Sequence, residues 1–268
     1  MMLLVATLLP VLAGSADAKG AVTLAVPQVQ YRINEASASR SPWIDANGWQ
    51  IQRKPGSHFY YDVPAKAVAL AAAEAFAYGA QAAIHTDPGG AAAFKRMLAF
   101  LAALPEVDLP AIANIGVIED GTDETGELMN LLTRRNLLFR VVTRPDPSLP
   151  INVHLGEKGY PKDEDPNLLA QRIRSELTDD KRAVRLYGSE VVVARLAGNS
   201  GRARLHLLNY SNRPVVGLRV RVLGAFPHAA IAAFDKPGSH LLDVTTDGGA
   251  TEFTIDEMST YAVIDLSP

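Results

Sequence analysis

The chain has 268 residues, is 48% hydrophobic and carries a formal charge of -3, so it can bury a substantial core and is not a disordered tail. That charge gives no long-range pull toward phosphate backbones or anionic lipid, which argues against nucleic acid as a partner. There is no cysteine, which excludes disulfides, thiolate metal sites and cysteine nucleophiles.

Met1 to Ala13 form an apolar run, followed by Ala16-Asp17-Ala18 with the small-x-small spacing of a signal-peptidase site. The expectation is a signal peptide over 1–18, export to the periplasm or medium, and a mature start near Lys19. No Lys or Arg precedes the run, which makes the signal atypical. The run falls short of the roughly 20 residues a bilayer span needs, and no later segment reaches that length.

From Ala21 to Ile33 the β-branched pattern predicts one or two strands, with Pro27 at an edge or bulge. Ser41 to Pro64 holds both tryptophans, three clustered aromatics (Phe59, Tyr60, Tyr61) and Asn47-Gly48, and reads as a hairpin or long ordered loop. Pro64 opens an alanine-rich helix that Gly79 ends, and a buried strand runs up to Asp87. Gly89 to Leu104 is an amphipathic helix, with Phe94, Met97, Leu98 and Leu101 on one stripe and Pro105 as its stop.

Ile112 to Ile118 is the next strand, Asp123 to Arg135 a helix, and Leu138 to Thr143 a strand. That order is a βαβ unit, which sets neighbouring strands parallel. Arg144 to Glu164, charged and proline-rich, reads as a surface loop. Asp165-Pro166 begins another helix, with Leu169, Ile173 and Leu177 as its apolar stripe.

Beyond Lys181 the pattern changes to short strands separated by turns such as Gly198 to Gly201 and Asp247-Gly248-Gly249. Alternation in Arg202 to Leu208 and Leu218 to Val222 predicts an inward apolar face and an outward basic one. The fold class is therefore α/β, a flavodoxin-like or partial-barrel parallel sheet with helices over 19–180, followed by a small all-β antiparallel sandwich over 181–268.

Ligands of open parallel sheets bind outside the carboxyl ends of the strands. Acids follow several of the expected strands: Glu35, Asp87, Glu119 with Asp120, and Asp146. On one rim, two of Glu35, Asp87 and Asp120 would serve as general acid and base or nucleophile in glycoside hydrolysis. The stretch from Asp120 to Glu124 equally suits the positive end of the following helix. Trp43, Asp45, Asn47 and Trp49 combine flat aromatic faces with short polar groups, a surface for stacking on sugar rings, with Glu119 as a further contact; burial of the tryptophans in the core is the other reading.

The six histidines have no metal-ligand spacing, and the sequence lacks GxGxxG, a P-loop and GxSxG, so no metal or cofactor is expected. Asn209-Tyr210-Ser211 matches the short glycosylation pattern.

The stretch IANIGVIEDGTDETGELMNLLTRRNLLFRVV, with the later RLYGSEVVVARL and RARLHLLNYSNRPVVGLRVRVLG, resembles the accessory half of multidomain glycoside hydrolases of the β-galactosidase type. The resemblance covers residues 60 to 268. It implies a glutamine-amidotransferase-like α/β domain followed by a small β-sandwich, without the cysteine nucleophile that catalytic members of that α/β fold use. The catalytic barrel of such enzymes, about 250 residues, does not fit ahead of the β-rich part. Asn34-Glu35 resembles the Asn-Glu pair that carries the acid in one group of those barrels.

The expected function is a noncatalytic carbohydrate-binding or accessory module. The alternatives are a compact glycoside hydrolase and a structural oligomerisation module. Expected partners are carbohydrate and either further copies of the chain or a separate catalytic barrel protein.

Overall fold

The computed structural model describes residues 19–33, 40–157 and 159–268. The expected signal, 1–18, and Asn34 and Glu35 lie outside the described residues.

The first strand, β1 (Val22–Leu24), is separated by Pro27 from a hairpin of β2 (Gln28–Ile33) and β3 (Arg40–Asp45). Then follow α1 (Gly48–Arg53), β4 (His58–Val63), α2 (Val68–Ala77), β5 (Gln81–Thr86) and α3 (Ala91–Ala103). The remaining mixed elements are β6 (Ile115–Ile118), α4 (Asp123–Arg134), β7 (Phe139–Val142), β8 (Ile151–Val153) and α5 (Pro166–Lys181). They form two parallel sheets, β1-β4-β5 and β7-β6-β8. The helices α2 and α4 make the crossovers that parallel neighbours require.

Several local signals act as expected. Asp165 caps α5 by accepting from the backbone N–H of Asn167 and Leu168, and Gly79, at φ +64°, ends α2. Phe94, Met97 and Leu101 are the buried stripe of α3.

Two expectations fail in this mixed part. The 144–164 segment is not wholly surface loop, because Ile151 to Val153 pair with β6 in the core, a strand too short to leave a periodic pattern. Asn47-Gly48 is not a hairpin tip either; it starts α1, with Asn47 buried.

In α2, nine of ten residues are buried. A helix apolar on every side must be enclosed, and its alanines let it sit between β4 and β5 on one side and the β-rich half on the other.

That half contains β9 (Val184–Tyr187), β10 (Val192–Gly198), β11 (Ala203–Asn209), β12 (Val215–Leu223), β13 (His228–Ala233), β14 (Leu241–Asp247), β15 (Ala250–Met258) and β16 (Tyr261–Ser267). They form two four-stranded antiparallel sheets, β10-β11-β16-β13 and β14-β15-β12-β9. Leu196, Leu205, Leu207 and Ile264 of the first share one core with Val220, Val222, Phe253 and Ile255 of the second. Gly248 and Gly249, both at positive φ, close the β14–β15 hairpin as a two-residue loop needs. Among the described residues these strands form ladders only with one another, apart from a single bridge between Ala111 and Ala197.

The expected outward basic face does not hold for β11, all seven residues of which are buried. Its second face, with Val193, Tyr261 and Val263 of neighbouring strands, lies in the same cluster as α2 and α3. A polar residue on a covered face needs an internal partner. Arg204 accordingly makes two bonds to Asp265, at 2.6 and 2.7 Å, and a third to the carbonyl of Pro105 at 2.8 Å.

Candidate functional site

The carboxylates after the parallel strands are each engaged locally. Asp87, exposed beyond β5, accepts from the N–H of Ala65 at 3.1 Å. Glu119, just after β6, receives Arg53 through Nε at 2.9 Å and Nη2 at 2.7 Å, and the N–H of Gly121 at 2.7 Å. Asp146 accepts from Arg140, from Ser148 and from the Ser148 backbone.

Asp120 accepts from the N–H and hydroxyl of Thr122, at 3.0 and 2.7 Å, and Thr122 in turn caps α4 by accepting from Thr125 N–H. Burial pushes the Asp120 carboxyl up, but the Thr122 and Thr125 hydrogen bonds and Lys162, 3.5 Å away, outweigh it and hold its pKa at about 2. Glu119 and Asp120 thus fix the entrance to α4: the first ties it to α1 through Arg53, the second holds the cap.

The four residues expected to form a sugar-stacking loop are dispersed. Trp43 and Asp45 project from the same face of β3. The guanidinium of Arg134 lies 3.4 Å from the centroid of the Trp43 ring, and Asp45 accepts from Gln30 at 2.6 Å and Gln28 at 3.3 Å. Trp49, on α1, packs against the core of the β7-β6-β8 sheet. Asn47 is 1% exposed, and its side chain exchanges two 3.0 Å hydrogen bonds with the backbone of Ala25. The Asn209 amide is likewise buried, donating to the carbonyls of Arg213 and Ser259, which removes it as a glycosylation acceptor.

One cluster escapes a motif search. Glu74, in the alanine-rich α2, is fully buried. It accepts from the backbone and side-chain nitrogens of Asn47 and from Tyr61 Oη, each at 2.8 Å, and from Tyr210 Oη. Burial raises its pKa against the opposing pull of those four donors, and burial raises Tyr61 and Tyr210 well above the usual tyrosine value. Half-buried Tyr78 lies nearby, with Arg195 Cζ 5.3 Å from its ring centroid. The sequence signal was a single acid in an otherwise apolar helix. Sealed from solvent, Glu74 joins the start of α1, strand β4 and the end of β11.

Open space lies elsewhere. A cleft of about 640 Å³ is bounded by the β2–β3 hairpin at Pro42 and Ile44, the end of α4, α5, and the chain from Arg182 to Glu190. A second, of about 350 Å³, lies at the amino ends of β4, β5 and β7, between Ser57, Gln81, Phe139, Tyr78 and Arg195. Neither is lined by Asp87, Glu119 or Asp120. Among the described residues no group of three or more His, Asp or Glu could hold a metal ion, and no helix is long and apolar enough to cross a membrane.

No family model and no curated protein matches the sequence. Among solved structures, the chain is similar to alpha-L-fucosidase isoenzyme 2 from Paenibacillus thiaminolyticus, with a TM-score of 0.58 at 10% identity over 81% of this chain. It spans 62% of that fucosidase's length. The alpha-amylase from H. orenii aligns over 82% of this chain and 55% of its own, at 10% identity and a TM-score of 0.21. The first likeness establishes a fold related to that of a glycoside hydrolase.

Proposed function

We propose that the protein is an exported, noncatalytic module that binds carbohydrate or assists an enzyme acting on it. The parallel part is read as a partial barrel or flavodoxin-like unit and the two antiparallel sheets as a sandwich, as in the accessory half of β-galactosidase-type enzymes. The fold likeness to a fucosidase supports the carbohydrate assignment. The observation that carries the noncatalytic reading is that neither cleft is lined by Asp87, Glu119 or Asp120; Asp120, its carboxyl held at about 2 by the α4 cap, also has no proton to donate as a general acid near neutral pH. Glu119 is taken up by Arg53, and Glu74, whose burial raises its pKa, is beyond the reach of substrate.

Partners under this reading are glycans and either further copies of the chain or a separate protein bearing a catalytic barrel. The test is a soluble-glycan binding array run beside a broad panel of aryl glycosides. Saturable binding without turnover is expected. Hydrolysis abolished by Asp120→Asn would replace this reading with that of a compact glycosidase, and an array without binding would leave only the oligomerisation role. Recovery of protein beginning near Lys19 outside the cytoplasm tests export.

A further inference from the structure

The larger cleft holds more positive charge than the protein neutralises. Five arginines line it: Arg134, which stacks on Trp43, and Arg135 just after α4, Arg174 on α5, Arg182 just after it and Arg185 on β9. The last four of these guanidinium groups face two carboxylates: Glu190 on the wall, and Asp179, which alone pairs with both Arg182 and Arg185. Arg174 makes no ion pair or hydrogen bond with any described residue. Arg182 is 4% exposed and donates to Asp179 and to the carbonyls of Arg135 and Asn136, yet its Nε–H has no acceptor. Burial, and then the charge of Arg174, lower the pKa of both Arg135 and Arg182.

Like charges gathered in a partly desolvated cleft repel each other, and an orphaned buried donor is costly; one oxyanion relieves both. The net charge of -3 rules out long-range capture, so the attraction is confined to this cleft and short-ranged. A space of about 640 Å³ is far larger than a single phosphate requires and lies within the range of organic-ligand sites. Ser189 on its wall suits a hydroxyl group, and the half-buried Pro42 and Leu186 offer apolar surface.

We infer that this cleft binds an acidic oligosaccharide, whose sulfate or carboxylate groups pair with Arg135, Arg174, Arg182 and Arg185. The inference rests on the carbohydrate reading above and gives it a ligand class.

The experiment is calorimetric titration of the full chain with a sulfated tetrasaccharide, an oligouronate and a neutral oligosaccharide of equal length, with pyrophosphate and a short single-stranded DNA as further probes. It is repeated on Arg174→Ala, Arg174→Glu and, as a distant exposed control, Arg213→Ala. Tighter binding of an acidic than of the neutral sugar is expected, weakening as salt is raised. Arg174→Ala should weaken it about threefold to tenfold and Arg174→Glu more, with the melting temperature unchanged or raised, because Arg174 supports no other residue and its removal relieves like-charge repulsion.

Neutral and acidic sugars binding equally would overturn the inference while leaving the carbohydrate reading intact. Binding of pyrophosphate or DNA with no sugar binding would overturn both. Acidic-sugar binding indifferent to Arg174→Glu would place that ligand elsewhere and end the proposal for this cleft.

Discussion

Glu74 and Tyr210 are 136 residues apart in sequence and share a hydrogen bond in the buried interior, with the Tyr210 hydroxyl donating to Oε1. The helix carrying Glu74 and the strand β11 leading to Tyr210 are thereby fixed to each other by a directional contact within an apolar interface. Packing alone would let such surfaces slide.

Removing the acceptor strands four donors. Glu74→Ala should therefore cost about 3–5 kcal/mol in urea unfolding, and Tyr210→Phe, which deletes one donor, about 1–2 kcal/mol. The pair should be strongly non-additive, since the Tyr210 hydrogen bond no longer exists once Glu74 is gone. Additive losses would show that the contact is not made in solution.

The Glu74 carboxyl also has a pH signature. Its folded pKa is raised, by burial first, above the ordinary 4.5, so over the window from 4.5 up to the folded value the native state holds a proton that the unfolded state has released. Its contribution is complete below 4.5 and is lost as pH rises through the folded value. Glu74→Gln, which does not titrate, should remove that slope from a stability-versus-pH curve measured against the wild type.

His206 behaves oppositely. Burial, with help from the charges of Arg204 and Arg195, lowers its pKa from 6.5 to about 3, and its ring sits 2.7 Å from Tyr261 Oη. Between those two values only the unfolded chain takes up the proton, so stability falls as pH drops through this window, by on the order of 5 kcal/mol if it is crossed completely. His206→Gln should flatten the acid limb of the unfolding curve relative to wild type. An unchanged limb would mean the ring is open to water.

Asp120 acts through the α4 cap. Asp120→Ala, which releases Thr122, is expected to cost about 1 kcal/mol, and Asp120→Asn, which keeps an acceptor oxygen, less than about half of that. The part of its contribution that depends on charge is present above 3.8 and disappears as pH falls through about 2. Thermal melts of both variants at neutral pH check the order.

A methyl group at Gly48 would sit 2.1 Å from the Tyr78 ring, far inside van der Waals contact. Gly48→Ala should destabilise by about 1–3 kcal/mol, and combining it with Tyr78→Leu should recover part of the loss. Equal stability of Gly48→Ala and wild type would sink the close approach of α1 to Tyr78.

The order of helices and strands was readable because each depends on local spacing and on end signals. The stripe of α3, the Asp165 cap of α5 and the Gly248-Gly249 loop are decided within a few neighbouring residues. Strand β8 left too little pattern to be read, and Asn47-Gly48, a turn signal by composition, became a helix start because Glu74 captures both nitrogens of Asn47. The candidate catalytic residues share a chemical type and a place after expected strands. Asp87, Glu119 and Asp120 do follow strands, but what each carboxylate touches depends on Ala65, Arg53, Thr122 and Lys162, which no spacing rule brings beside them.

The sequence by itself determined that helices alternate with parallel strands and then yield to antiparallel ones, because hydrophobic period and turn chemistry act over a few residues. Tertiary structure alone decided that β11 is covered on both faces, that a glutamate in an alanine helix meets a tyrosine from the far end of the chain, and that five arginines on and just after α4 and α5 and on β9 crowd one cleft. Those outcomes depend on which surfaces are packed together, and alternation along a strand is the same whether its outer face meets water or a helix.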